Sequence, residues 1–193
     1  FVAGRLVAVY DIPFLLGLIA GVAAAVPLGL LFALPAVRTR GINLAIVTLG
    51  LGTTMELMLF RNRSYTGGVR GTQVGNPDLF GYDISSIRYP ERYGIFVLAM
   101  AVIAVWMVSN VRRGRSGRRL IAVRTNERAA AALGIDVLRA KLFAFAFAAA
   151  LAALGGILLA FRLSSISYQS FTSFTSITYA GLALVGGVGH LLG

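Results

Sequence analysis

Apolar residues along this chain gather in long runs that polar segments separate, instead of recurring at the intervals of an amphipathic helix or strand. Each run holds about 20 residues, and a helix of that length spans the roughly 30 Å hydrocarbon core of a bilayer. The pattern predicts five membrane-spanning helices, at residues 12–37, 42–60, 93–111, 140–161 and 176–193. We therefore expect an all-α fold, a polytopic transmembrane helical bundle, with a polar loop at 112–139 between the third and fourth spans.

Two of these runs carry a small residue at every fourth position, which places the small residues on one face of each helix. In the first and fourth spans, respectively, they are Gly17, Gly21, Ala25, Gly29 and Ala33, and Ala144, Ala148, Ala152, Gly156 and Ala160. Small faces let helix backbones approach closely, so we expect tight packing along both stripes. Phenylalanines that lie off the second stripe can face lipid, namely Phe143, Phe145, Phe147 and Phe161. Alanine-rich composition alone is the alternative explanation.

Composition supports a membrane location: 58% of the residues are hydrophobic, 13% are charged, and the mean hydropathy is +0.81. The sequence contains no cysteine, which excludes disulfides and thiolate metal sites. Because the chain begins with Phe1 and ends within an apolar run, we expect it to be an interior part of a longer protein.

The net charge of +11 is unevenly distributed, since nine of the eighteen basic residues lie between residues 112 and 141. Segments of membrane proteins that face the cytoplasm carry the excess of Lys and Arg. We therefore expect 112–141 to lie in the cytoplasm, with 61–92 and 162–175 on the outer side. Aromatic residues are not interleaved with these arginines, so the charge does not indicate a nucleic-acid partner.

The arginine-rich segment "RRLIAVRTNERAAAALGI" contains the signals that begin and end a short helix. Asn126 is a favourable N-cap, and Glu127 suits the positive end of the helix dipole. Gly134 fits the left-handed position that follows a helix, with Ile135 available for the accompanying apolar contact. Asp136 can cap the next span in turn. The segment is therefore predicted to hold a rigid helix of about two turns rather than a flexible linker.

A rigid helix of this kind between two spans suits the transmission of force from a partner protein on the cytoplasmic side. Three other roles are compatible with its arginines: setting the membrane topology, binding anionic lipid head groups, and contacting nucleic acid. None of the three requires a helix that is capped at both ends.

Catalytic chemistry finds little support in the sequence. Only seven acidic residues are present, and Glu56 alone falls within a predicted span. A charged residue inside a span is a candidate for function, although Glu56 is close enough to Arg61 to extend towards the outer surface and pair with it. The hydroxyl-rich segment 164–178 can line a path for a polar solute or form a surface loop. We expect no enzymatic activity, no cofactor and no metal site.

The segment "GRRLIAVRTNERAAAALGIDVLRAKLFAFAFAAALAALGGILLA" resembles the cytoplasmic loop and following helix of branched-chain amino-acid ABC transporter permeases of the LivM type. The residues that carry the resemblance are Gly117, Arg118, Arg124, Asn126, Glu127, Ala129, Ala130, Leu133, Gly134 and Ile135. Shorter stretches at 38–52, 66–71 and 184–193 resemble the same family in the same order. The resemblance therefore extends over nearly the whole chain.

The resemblance implies a permease subunit of an ATP-binding-cassette importer in the cell inner membrane. Its partners would be a second permease subunit, two cytoplasmic ATP-binding subunits and an external solute-binding protein, and its cargo a small polar solute. By the same resemblance, the loop docks on an ATP-binding subunit through Arg118, Arg124, Asn126, Glu127, Ala130, Leu133 and Gly134. The candidate solute path comprises Thr48, Thr53, Glu56, Thr66, Gly67, Gly68, Ser170 and Thr172.

Relatives often carry an acidic and then a basic residue after the position of Gly52, where this chain has Thr53 and Glu56. The solute therefore stays open among branched-chain or related amino acids, urea, short amides and other small polar metabolites. An ion-coupled secondary transporter is the alternative of a different class, and it would need intramembrane carboxylates, of which only Glu56 is available. A structural membrane subunit would leave the capped loop unexplained.

Overall fold

The computed structural model describes residues 1–10, 12–39, 42–60, 72–75, 77–79, 82–163, 165–167 and 173–187. Helices account for most of this part of the chain, which confirms the all-α fold. They are α1 (Val2–Tyr10), α2 (Phe14–Arg38), α3 (Ile42–Met55) with a π-helical turn after it (Glu56–Phe60), α4 (Pro90–Arg113), α5 (Arg115–Thr125), α6 (Glu127–Ala132), α7 (Val137–Arg162) and α8 (Ser173–Gly186).

Among the described residues, three segments form helices that are long and apolar enough to cross a membrane: Phe14–Pro35, Pro90–Arg113 and Val137–Arg162. They coincide with the first, third and fourth predicted spans to within a few residues. The apolar helices in the second and fifth predicted spans are shorter, and residues 188–193 of the fifth lie outside the described residues. The division of the chain into five spans therefore stays a prediction.

The small residues of α2 form the close contact that the sequence predicted. A Cβ atom at Gly21 would lie 2.8 Å from the Ile157 side chain and 2.9 Å from that of Ala3. A Cβ atom at Gly29 would collide with Ala149. Helix α2 therefore lies against both α1 and α7 at distances that only glycine allows at these positions.

The stripe predicted on the fourth span is correct only in part. Ala160 is 5% exposed, and together with Gly156 it faces α1 and α2. Ala148 and Ala152 are exposed, whereas Ala149 and Ile157 face α2. Alanine occupies both 148 and 149, and both 152 and 153, so helical periodicity alone could not show which of the two contacts the partner helix.

Aromatic side chains join three helices at the end of the bundle where α2 begins. Phe161, which was expected to face lipid, is only 4% exposed, and its ring centroid lies 4.7 Å from that of Phe14. Phe96 of α4 packs on Phe14 from the other side at 5.5 Å. The Tyr93 hydroxyl donates a hydrogen bond to the Leu158 carbonyl oxygen. Phe161 is buried because three helices meet around it, and the pattern of a single helix cannot reveal such a meeting.

Helix α4 separates from the rest of the described residues beyond this aromatic cluster. The side chains of Leu98, Val102 and Trp106 are 66%, 61% and 64% exposed. Contact between α4 and the other described helices is therefore concentrated at the two ends of α4, at the aromatic cluster and at α5.

Two short β ladders, which the hydrophobic pattern did not predict, join the loops at the end where α2 begins. β1 (Thr72–Gln73) pairs antiparallel with β4 (Ser165–Ile166), and β2 (Asp78–Leu79) pairs antiparallel with β3 (Tyr82–Asp83). The first ladder connects the two segments that were both expected on the outer side. This pairing is consistent with both segments lying on the same side of the membrane.

Candidate coupling element

The segment 114–136 joins α4 to α7 and contains α5 and α6; we call it the coupling element. It begins with a sharp corner at Gly114, whose N–H donates to the Asn110 carbonyl oxygen at 2.9 Å. A Cβ atom at Gly117 would collide with the carbonyl oxygens of Val111 and Arg112. Glycine at this position therefore allows α5 to fold back against the end of α4.

Helix α5 was not predicted, because the capping residues in the sequence indicated only one short helix in the polar loop. Leu120 and Val123 face the interior of the element, whereas Arg118, Arg119 and Arg124 are exposed. Apolar residues three positions apart within an arginine-rich stretch were the signal that could have revealed this amphipathic helix.

The short helix predicted after the arginines is α6, which is six residues long, and its N-terminal cap is confirmed. The Asn126 side chain accepts hydrogen bonds from the N–H groups of Arg128 and Ala129, at 3.0 and 3.2 Å. Asp136 caps α7 in the same way and accepts a hydrogen bond from the Arg139 N–H at 3.0 Å. These caps satisfy amide groups that lack a partner within their own helix.

The C-terminal cap of α6 is also confirmed. Gly134 has a φ of +78°, the left-handed conformation that side chains disfavour. Its N–H donates to the Ala131 carbonyl oxygen at 2.9 Å, and the Ile135 N–H donates to the Ala130 carbonyl oxygen at 3.0 Å. These two hydrogen bonds form a Schellman motif, which ends α6 and turns the chain towards α7.

A small apolar core holds α5, α6 and α7 together. Val123, Ala130 and Ala140 are 6%, 2% and 9% exposed, and Ile135 packs against them. Ala130 was among the residues predicted to dock on an ATP-binding subunit. Its burial means that it supports α6 from inside the element and does not itself form the outer surface.

Ion pairs add to this core. The Lys141 Nζ lies 2.7 Å from the Glu127 Oε1, and the two side chains are 18% and 24% exposed. A second pair joins Arg139 to Asp136 at 3.0 Å, but these side chains are 86% and 49% exposed. Solvent screens an exposed pair more strongly than a shielded one, so the Lys141–Glu127 pair is the stronger constraint of the two.

Five of the other predicted docking residues line two grooves of the coupling element. Arg124, Asn126 and Glu127 border one groove of about 630 Å³. Leu133 and Gly134 border another of about 530 Å³, and the Leu133 side chain is 79% exposed. The sequence motif therefore divides between two neighbouring surfaces.

The outer surface of α5 combines positive charge with exposed apolar area. The Arg118 guanidinium donates to the Arg113 carbonyl oxygen at 3.4 Å and remains exposed. Ile121, which the sequence analysis did not select, is 62% exposed. Basic and apolar groups side by side suit contact with an acidic protein surface.

The candidate solute-path residues in the described part of the chain lie on α3 and the π-helical turn. Thr48 is half-buried, whereas Thr53 is exposed and its hydroxyl donates to the Gly50 carbonyl oxygen at 2.9 Å. Glu56 begins the π-helical turn, a conformation that is frequent at functional sites. The candidates outside the described residues are Thr66, Gly67, Gly68, Ser170 and Thr172. Across the described ranges, His, Cys, Asp and Glu form no group of three that could hold a metal ion.

A cavity of about 300 Å³ lies between α1, α2 and α7, beside the π-helical turn. Its walls are mostly apolar and include Gly21, Ala25, Leu28, Gly156 and Ile157. Of the solute-path candidates that the structure describes, none lines this cavity. The cavity was not predicted: small residues on α2 and α7 indicated close packing, but not the space that remains between these helices and α1.

The model of a family described as "Branched-chain amino acid transport system / permease component" matches residues 1–193. The chain is 34% identical to the high-affinity branched-chain amino acid transport system permease protein LivM of Escherichia coli (strain K12), over 89% of this chain and 45% of that protein. It is 28% identical to the autoinducer 2 import system permease protein LsrC of Enterobacter sp. (strain 638), over 86% of this chain and 51% of that protein. It is 27% identical to the ribose import permease protein RbsC of Escherichia coli (strain K12), over 74% of this chain and 47% of that protein. The chain thus spans about half the length of these curated relatives, and no solved structure is significantly similar to it.

Proposed function

The chain belongs to the family of branched-chain amino acid transport system permease components, and from this premise we propose that it is the membrane-spanning permease subunit of an ATP-binding-cassette importer. Members of this family are transport subunits and not enzymes. Hydrolysis of ATP would take place in partner subunits, and this chain would couple it to movement of the solute. The observation that carries the proposal is α6, a six-residue helix capped at both ends between two long apolar helices.

The structure of α6 suits a part that receives force from another protein. A six-residue helix is marginal on its own, because nucleation is costly and few hydrogen bonds offset it. Here the caps, the buried Ala130 and the Lys141–Glu127 pair stabilise it against α5 and α7. Leu133, at its C-terminal end, is 79% exposed and available for contact. Force applied at Leu133 would therefore pass into α7 and not be lost in a flexible loop.

The partners follow from the proposed role. The coupling element would dock on one of two cytoplasmic ATP-binding subunits, while a second permease subunit completes the solute path within the bilayer. An external solute-binding protein would deliver the solute to the side where α2 begins. The chain itself is a multi-pass protein of the cell inner membrane, as its long apolar helices and its family indicate.

The orientation within that membrane is part of the proposal, and the absence of native cysteines makes it easy to test. The coupling element lies in the cytoplasm, and the β1–β4 ladder lies outside. Thr125 and Ser165 are both exposed, one in each region. Single cysteines at these positions should react with a membrane-impermeant reagent from opposite sides. Reaction of both from the same side would contradict the orientation.

We infer that the solute is a branched-chain or related amino acid. LivM, at 34% identity, is named for such solutes, while RbsC, at 27%, is named for ribose. The mostly apolar cavity beside the π-helical turn supports the same choice. An aliphatic side chain placed there would gain from burial, whereas a sugar hydroxyl without a hydrogen-bond partner would cost about 1–3 kcal/mol. The charged ammonium and carboxylate groups of an amino acid would have to bind outside these apolar walls. Urea, short amides and sugars are the alternatives to be compared.

Two measurements test the function. The full-length protein should co-purify with ATP-binding subunits, and proteoliposomes that also contain the solute-binding protein should take up leucine only when ATP is supplied inside. Uptake of ribose or urea in place of leucine would support the assignment as an importer but with a different solute. Uptake that depends on an ion gradient and not on ATP would instead establish a secondary transporter.

A further inference from the structure

Lys141 is the single lysine of the chain, and its ion pair with Glu127 is one of the contacts that stabilise α6. It is the fifth residue of α7, and its ammonium group reaches Glu127, the first residue of α6, at 2.7 Å. Both side chains are shielded from solvent, at 18% and 24% exposure. The pair therefore connects two helices that the chain itself joins only through the Schellman turn at the opposite end of α6.

The position of the pair determines what it can do. Just beyond the C-terminal end of α6, Ile135 packs into the core that Ala130 of α6 shares with Ala140 of α7. At the N-terminal end, Glu127 reaches the next residue of the same helix, Lys141. Helix α6 is thus held to α7 at both ends, so it cannot swing about its C-terminal turn without separating two shielded charges.

Building on the proposed coupling role, we propose that Lys141 is a positioning residue for that coupling. Its ion pair with Glu127 makes α6 and the first turns of α7 move as one body. Force on α6 from an ATP-binding subunit then displaces α7, which lines the contact with α2 and one wall of the apolar cavity. Without the pair, α6 still forms, because its caps remain, but it moves independently of α7.

The test is the number of solute molecules transported per ATP hydrolysed, in the complete complex reconstituted with its solute-binding protein. Lys141→Met should lower this ratio about tenfold, within the range typical of coupling between sites. Lys141→Arg, which keeps the charge and can reach the same carboxylate, should restore it. Arg139→Met is the matched control. It also removes one positive charge, two residues before Lys141, but Arg139 belongs to an exposed ion pair that is confined to the start of α7. It should couple like the parent.

A second variant distinguishes a role in coupling from a purely structural role of Lys141. Lys141→Met alone takes the Lys141 partner away from the shielded Glu127 carboxylate, which can lower abundance by itself, whereas changing both residues removes both charges. The double variant Glu127→Gln with Lys141→Met should therefore recover parental abundance while its transport-to-hydrolysis ratio stays low. Parental coupling in this double variant, or in Lys141→Met, would overturn the inference. Failure of the parent complex to bind ATP-binding subunits at all would instead overturn the proposed function.

Discussion

The packed pair α2–α7 and the coupling element are held together by different kinds of contact. In the pair, Gly29 and Ala149 bring two backbones together through small side chains alone. In the coupling element, side-chain caps, a Schellman motif and a shielded ion pair fix the angle of α6. Lipid offers no hydrophobic driving force between helices, so close fit has to hold the pair. In water, a short helix needs directional bonds to keep its shape.

The difference indicates which kind of mutation each region tolerates least. A contact that depends on fit should fail when volume is added at the interface, even if every polar group is unchanged. A contact that depends on directional bonds should fail when a cap or a special backbone conformation is removed, even if there is ample space. The two regions can therefore be tested with opposite kinds of substitution.

The largest effect is expected at Ala149. The substitution Ala149→Leu adds bulk where Gly29 already lacks room for a Cβ atom, so it should destabilise the protein by about 3 kcal/mol. The neighbouring change Ala148→Leu adds the same atoms to an exposed position and should leave stability nearly unchanged. Thermal melting of the detergent-solubilised protein compares the two. Equal loss from both variants would show that α7 does not present the observed face to α2.

The second-largest effect is expected at Gly117, where the coupling element folds back on α4. Gly117→Ala places a Cβ atom against two carbonyl oxygens of the last turn of α4, and a backbone cannot yield as a side chain can. We expect a loss of about 2 kcal/mol and displacement of α5, with normal membrane insertion. Ser116→Ala is the control beside it and should be neutral. A Gly117→Ala variant as stable as the parent would mean that α5 does not fold back on α4.

The substitution Gly134→Val tests the backbone conformation at this position without introducing a steric clash with other residues. No atom lies within 4 Å of a Cβ at this position, so the cost is the left-handed conformation alone, about 1–2 kcal/mol. We expect normal abundance but weaker binding of ATP-binding subunits and little solute-stimulated ATP turnover. Gly134→Asn should retain most of both, because asparagine tolerates this conformation. Parental ATP turnover in the valine variant would exclude α6 as the coupling helix.

Sequence reasoning succeeded where one residue type determines a local conformation. Asn126 and Gly134 each act within a few residues of chain, and both caps were predicted correctly. It failed where the outcome depends on distant neighbours. The alanines of α7 offered two equivalent faces, and the burial of Phe161 depends on Phe14 and on α4.

The cavity and the β1–β4 ladder were missed for the same reason. Each depends on segments far apart in sequence, because residues near 72 pair with residues near 166. Local composition contains no record of such a pairing. Helix α5 is different, since its local signal was present in Leu120 and Val123 but was obscured by the surrounding arginines.

The smallest effect is expected from the N-cap of α6, and it decides whether directional bonds matter at all in the coupling element. Asn126→Ala removes the acceptor of two amide hydrogen bonds and should cost about 1 kcal/mol, without any change in volume that neighbours would resist. Asn126→Ser keeps an acceptor and should cost only a few tenths of a kcal/mol. Hydrogen exchange at the amides of Arg128 and Ala129 reports the loss directly. Exchange there should accelerate about fivefold in the alanine variant, because 1.4 kcal/mol corresponds to a factor of ten, while amides in the middle of α7 remain protected. Equal exchange in the alanine and serine variants would show that packing, and not the cap, maintains α6, and the contrast between the two regions would then disappear.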